Sequence, residues 1–294
     1  MILTRRFLEI VMQRLTVMLV MLVLMAGVAH AQAPATEPST SGSATAAAQA
    51  DDPDLDPNRA QPDFTLLTLP TTLRLPRHKM AFRVTHRFGR DLTEGDFGDL
   101  AGDLFGLDSG AQIGLEFRYG LIRGGQVGIY RTSNRTIQFF GQYELLSQKT
   151  SFLSIDIVAN VDGTNNFQDS YSPGLSAVFS REVGERAAFY LQPAWINNTN
   201  PVPAELIDDN DTFLIGLGTR VNVHGRTYLV LEAAPRVGGF DPGDTHVSFG
   251  IEQQAGGHVF QLNFSNGIGT TLAQVARGGV NDWHLGFAIS RKFF

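Results

Sequence analysis

From residue 80 onward, apolar and polar residues alternate with a period of two. In the first such segment Met80, Phe82, Val84 and Phe88 oppose Arg83, Thr85 and Arg87. In the next, Ala111, Ile113, Leu115, Phe117 and Tyr119 oppose Gln112, Gly114, Glu116 and Arg118. Near the end, His258, Phe260, Leu262 and Phe264 oppose Val259, Gln261, Asn263 and Ser265, and Trp283, Leu285, Phe287 and Ile289 oppose His284, Gly286, Ala288 and Ser290. Strand side chains point alternately to the two faces of a sheet, so each segment is a strand with one apolar and one wet face. The same reading covers 125–132, 135–146, 151–161, 171–181, 187–197, 212–223, 227–237 and 245–254, which makes twelve strands.

The connections carry a second pattern. Gly124-Gly125, Ser147 to Thr150, Glu182 to Glu185, His224-Gly225 and Ala255 to Gly257 are short. Between them fall longer polar segments: Asp91 to Gly110, Asp162 to Ser170, Asn198 to Asp211, Gly238 to Asp244 and Asn266 to Asp282. Only the connection at Ser133-Asn134 departs from this order. An even number of alternating strands joined by short turns on one side and long loops on the other predicts an all-β fold, a single antiparallel transmembrane β-barrel. Twelve strands fit best and fourteen less well. Phe82, Phe117, Phe139, Leu262 and Phe287 are expected to face lipid.

The wet face then supplies the candidate lumen lining: Arg83, Arg87, Glu116, Arg118, Gln138, Gln142, Glu144, Asp156, Arg220, Glu232, Glu252 and His284. Both charge signs occur, which suggests a mixed, weakly selective interior. Barrels of this size lie between filled small barrels and open porins, so the pattern fits an aqueous path or a closed one. One stretch has helical rather than strand periodicity. Asp96, Asp99 and Asp103 share one face over Asp96 to Leu107, and Phe97, Leu100 and Leu104 share the other. It reads as an amphipathic helix capping the first outer loop, or as a constriction that brings Asp99 and Asp103 into a pore.

Upstream of the strands the pattern changes twice. Residues 1–31 read as a signal peptide, with Arg5, Arg6 and Arg14 before an apolar core from Leu15 to Val28 and a cleavage site at Ala29-His30-Ala31. The mature chain is expected to start at Gln32. Residues 32–62 are rich in Ala, Ser, Thr, Pro and Asp and read as a disordered arm. Residues 63–78 are apolar but broken by Pro70 and Pro76, which suggests a periplasmic lead-in packed near the barrel end. The barrel itself is assigned to 79–294.

Composition narrows the chemistry. There is no Cys, which excludes disulfides, thiol catalysis and zinc-thiolate sites. The net charge of -6 argues against nucleic acid as a partner. No apolar run of about 18 residues follows the N-terminal region, so no spanning helix is expected there. The sequence carries no HExxH, phosphate loop or dinucleotide motif, so no metal site and no cofactor is expected. Asn263-Phe264-Ser265-Asn266-Gly267 is similar to the H-x-S-N-G motif of outer-membrane phospholipases, where the His activates the Ser. Here Asn263 stands in place of that His, and an amide nitrogen is no general base. An enzyme is therefore not expected.

LPTTLRLPRHKMAFRVTHRFGR (69–90), GDLFGLDSGAQIGLEFRYGL (102–121), GGHVFQLNFSN (256–266) and LGFAISRKFF (285–294) together resemble an uncharacterised family of bacterial outer-membrane β-barrels. The resemblance spans residues 69–294. It implies a barrel in the bacterial outer membrane and brings no substrate or catalytic residue. The expected partners are outer-membrane lipid, the barrel-assembly machinery through the C-terminal strand that ends on Phe294, and an unidentified small solute. The leading expectation is a passive channel or transporter; the competing one is a scaffold barrel binding a periplasmic or surface partner.

Overall fold

The computed structural model describes residues 60–203, 205–278 and 282–293. The residues read as a signal peptide and cleavage site, nearly all of those read as the arm, and Phe294 lie outside the described residues. Twelve antiparallel strands follow in chain order: β1 (Met80–Phe88), β2 (Ala111–Ile122), β3 (Gly125–Thr132), β4 (Ile137–Leu146), β5 (Ser154–Gly163), β6 (Tyr171–Val183), β7 (Ala187–Asn197), β8 (Asp211–His224), β9 (Thr227–Ala234, continuing as Arg236–Gly239), β10 (His246–Ala255), β11 (His258–Ser265) and β12 (His284–Phe293). Each pairs with its neighbour in sequence, and β1 pairs with β12 from Met80↔Phe293 to Arg87↔Gly286, closing the cylinder. Closure leaves no unpaired edge, as a strand protein in lipid requires.

Pro235 interrupts β9 because it has no N–H to give to the ladder. Its carbonyl still accepts from Ile215 N, so the strand continues in pairing with β8. Strand ends differ from the sequence reading by up to three residues; β5, for instance, starts at Ser154 rather than 151.

The two faces separate as the alternation requires. Along β7 the burial alternates without a break from Ala188 to Ile196, with Phe189 and Leu191 outward and Tyr190 and Gln192 inward. Phe117 and Phe139 are outward and about half exposed, while Phe82, Leu262 and Phe287 are outward and partly covered by their neighbours. The outer wall is an apolar band. Leu115 lies near the middle of β2 and Leu121 near its short-turn end, and both face outward. Leu115→Arg is expected to cost about 2–4 kcal/mol and Leu121→Arg about 0–1 kcal/mol, because the penalty for a cation on the lipid face depends on depth. Urea unfolding of both variants in lipid vesicles measures this, and equal costs would refute the placement of the band.

Two segments outside the wall fill the inside. Residues 60–75 form a hairpin within the barrel. Thr65 bridges Pro70, Leu66 N donates to Leu69 O and Thr71 N to Phe64 O. Its second leg runs into β1 at the short-turn end. The lead-in assigned to 63–78 thus does not sit at the barrel end: Phe64, Leu66, Leu67, Leu69, Leu73 and Leu75 are buried inside. Ala60 and Gln61, assigned to the arm, are buried with them. The cause is plain: these apolar side chains need an apolar surface, and the lumen provides one. From the opposite end, the connection between β11 and β12 folds inward and carries a short helix, α1 (Leu272–Ala276), with Leu272, Ala273, Val275 and Ala276 buried. Hairpin and α1 join one core with Val158, Val178, Tyr190, Ile196, Leu214 and Val230 of the wall.

Candidate functional site

The lumen is the candidate site, and its polar residues hold the hairpin. The hairpin tip points its backbone N–H groups at one carboxylate. Leu67 N, Thr68 N and Leu69 N all donate to Glu232 of β9, at 3.1, 2.9 and 3.1 Å to Oε2. Three donors in a tight turn form a concavity suited to an anion, and Glu232 is that anion. The carbonyls at the other side of the hairpin meet cations. Arg83 Nη2 donates to Leu67 O at 3.1 Å, and Arg220 Nη2 to Thr65 O at 2.8 Å.

Arg220 is itself locked. Its Nε and Nη2 make a two-pronged pair with Glu252 at 2.6 and 2.9 Å, and both side chains are fully buried. Gln261 Nε2 completes the cluster, donating to Glu252 Oε1 at 2.7 Å and to Leu66 O at 2.8 Å. The wall makes room on the same side. A Cβ on Gly218 would lie 2.2 Å from Leu66 Cδ1, and one on Gly216 2.9 Å from Leu69 Cδ1. The absence of side chains there is what lets the hairpin approach β8.

The other predicted lining residues also face inward, and most are engaged. Gln142 Nε2 bonds Thr71 O at 2.7 Å and Asp156 Oδ2 at 2.6 Å. Arg118 pairs with Glu116 at 3.0 Å and lies over the rings of Phe64 and Phe140. Glu144 pairs with Arg74 of the hairpin leg at 2.9 Å. Gln138 bonds Asp162 at 2.7 Å, Arg87 bonds the carbonyls of Gly267 and Gly269, and His284 is buried beside the long-loop end. These residues line the lumen by position, and the hairpin and α1 occupy the space between them.

Asp99 and Asp103 are not among them. The first long loop carries a short helix over Phe97–Gly102 that is capped by Asp96, and Asp99 in turn accepts from Asp96 N at 3.0 Å. Asp103 pairs with Arg90 at 2.7 Å. Both carboxylates serve local geometry in an exposed loop, so the constriction reading is corrected. The helix also ends earlier than the periodicity suggests, because Leu104 and Phe105 adopt positive φ. Asp91 of the same loop ties it to the last one, accepting from Trp283 N at 3.1 Å. Partial burial works against ionisation of Asp91, but this bond and those from Thr93 outweigh it and hold its carboxyl below the ordinary range.

The inward loop does what the first loop does not. Thr271 caps α1 and donates to Asp162 Oδ2 at 2.5 Å. Gln274 accepts from Gln112 at 2.8 Å, and Arg277 donates to Ser172 at 2.9 Å. Above α1 a polar vestibule of about 380 Å³ opens at the long-loop end, lined by Gln112, Asn134, Arg236, His246, Gln274, Arg277, Asp282 and His284 among others. Sequence reading missed the hairpin, α1, Gln126 and Asp162. The small and apolar residues at inward positions of β5 to β9 were the available signal.

A serine and a histidine do meet here. His246 Nε2 lies 3.0 Å from Ser248 Oγ and 3.5 Å from Glu232 Oε1. Both contacts use one ring nitrogen, whereas a triad places the acid on the other. Ser248 donates to Ser265, and Ser265 to Gly267 O, so neither hydroxyl proton points at the ring. Asn263 Nδ2 donates to Gln261 Oε1 at 3.0 Å. Among the described residues no group of three His, Asp or Glu side chains is arranged to hold a metal.

A family model described as a membrane bound beta barrel domain (DUF5777) matches residues 63–293. The chain belongs to this family. The match begins inside the hairpin, so the family's domain comprises the hairpin together with the wall. The chain is a membrane-bound β-barrel. A comparison with curated protein sequences found no match. Among solved structures, an outer-membrane channel from Pseudomonas putida F1 is 13% identical, with 75% of this chain and 97% of that one covered and a TM-score of 0.45. Outer membrane phospholipase A from Escherichia coli is 12% identical, with 80% and 95% covered and a TM-score of 0.41. A triple-mutant porin from Rhodopseudomonas blastica is 14% identical at a TM-score of 0.34; 62% of this chain is covered, but it spans only 55% of that porin.

Proposed function

We propose that this protein is a bacterial outer-membrane barrel for small polar solutes whose passage is closed at rest. The observation that carries this reading is the arrangement of the lumen: a polar vestibule at the long-loop end, a thin partition made by α1, and a hairpin filling the lower half. A passive, permanently open pore does not fit that arrangement. Passage requires both segments to yield. The apolar outer band, the asymmetry of turns and loops, and the signal-peptide pattern of 1–31 support the outer-membrane setting. The paired protons of Ser248 and Ser265 support a non-enzymatic role.

Planar bilayers test the proposal. The full chain is expected to show no steady conductance steps. A variant lacking residues 60–75, with 269–278 replaced by a short Gly-Ser linker, is expected to conduct in steps. If that variant folds and inserts yet stays silent, the transport reading fails and a scaffold barrel replaces it.

A further inference from the structure

A small cavity of about 60 Å³ lies between the hairpin tip and the start of α1, lined by residues of β1 to β5 and of β7. Four polar atoms on its lining have no hydrogen-bond partner: Thr68 Oγ1, Arg83 Nε, Asn160 Nδ2 and Gln192 Oε1. Their residues are 8%, 7%, 9% and 1% exposed. Polar atoms buried this deeply are almost always satisfied, so four on one cavity point to an occupant.

Charge says which kind. Arg83 and Arg118 face the cavity against one carboxylate, Glu116. Glu116 is already engaged by both Nε and Nη2 of Arg118 at 3.0 Å. Arg83 meets only neutral carbonyls, those of Leu66 and Leu67, and among the described residues no carboxylate lies within ion-pairing distance of it. A buried cation without a counter-charge is costly, and a bound anion removes that cost. Size limits the anion. The volume equals about two water molecules at about 30 Å³ each, enough for a halide and one water.

We propose that this cavity is a buried binding site for a small inorganic anion of chloride's size, held by Arg83 Nε and the Thr68 hydroxyl. A water beside it bridges to Gln192 Oε1. The anion joins hairpin to wall, and it does so whether or not the barrel ever conducts.

Crystals of the full chain grown in bromide test the site by anomalous scattering. A peak within hydrogen-bond reach of Arg83 Nε is expected. In solution, replacing gluconate by chloride at constant ionic strength should shift Tm upward and saturably. Arg83→Gln should lose both the peak and the shift. Should Arg83→Gln fail to fold, Thr68→Val keeps the cation and should move the chloride midpoint to higher concentration. Water alone in the cavity, with no bromide peak there, overturns the proposal. So does a chloride shift of equal size and midpoint in wild type and in whichever variant folds.

Discussion

Glu232→Ala is expected to release the hairpin and to lower stability by about 3–9 kcal/mol, since each of three buried N–H donors left without an acceptor costs about 1–3 kcal/mol. Leu67, Thr68 and Leu69 all turn their N–H groups to this one carboxylate, and among the described residues these N–H groups have no other acceptor. Water can enter only by loosening the leucines that surround them. Glu232→Gln keeps one acceptor oxygen and should cost roughly half as much. Urea unfolding in lipid vesicles measures the loss. Limited proteolysis in the same vesicles reads the release, with new cleavage between residues 60 and 75 in the Ala variant. A variant that loses stability while the hairpin stays protected would show that Glu232 supports the wall and not the tip.

Arg220→Met is expected to cost about 3–5 kcal/mol, the usual penalty for stranding one member of a buried pair. Glu252 is fully buried, and with Arg220 gone only Gln261 still donates to it. The carbonyl of Thr65 loses its donor in the same step. Arg220→Met combined with Glu252→Leu removes both charges and should regain most of the stability, because a buried pair exchanged for apolar side chains of similar volume is often neutral or better. The double variant still lacks the bond to Thr65, so its hairpin should remain easier to cleave than the wild type. Additive losses, with the double variant worse than either single one, would mean that the two residues act separately.

The wall was legible in the sequence because one rule governs it. Every strand must keep one face for lipid, and residues such as Phe117, Phe139 and Leu191 mark that face at every second position. The filling was harder to read. Pro70 and Pro76 break the alternation, which correctly removes 63–78 from the wall but leaves its destination open. The destination was written elsewhere, in inward positions that are not wet: Val158, Val178, Ala188, Ala194, Leu214, Gly216, Gly218 and Val230. Alternation reports two faces and is silent on whether the inner one meets water or protein. The acids of the first loop misled for a related reason. Spacing places Asp96, Asp99 and Asp103 together, but a capping box uses the same spacing as an acidic helix face.

The bond between Leu67 and Glu232 joins residues 165 positions apart. Such a contact forms only after a long loop has closed, and distant contacts of this kind slow folding. The hairpin also sits inside a cylinder whose seam is the pairing of its own next strand, β1, with the last strand, β12. It cannot be threaded in once that seam has zipped without reopening part of it. The hairpin is therefore expected to act as a mandrel: β8 to β11 wrap against residues 60–75 first, and the β1–β12 seam sets last. In this order the barrel's final diameter is templated by its own N-terminal segment, and a chain lacking the hairpin would assemble more slowly even where its wall is unchanged.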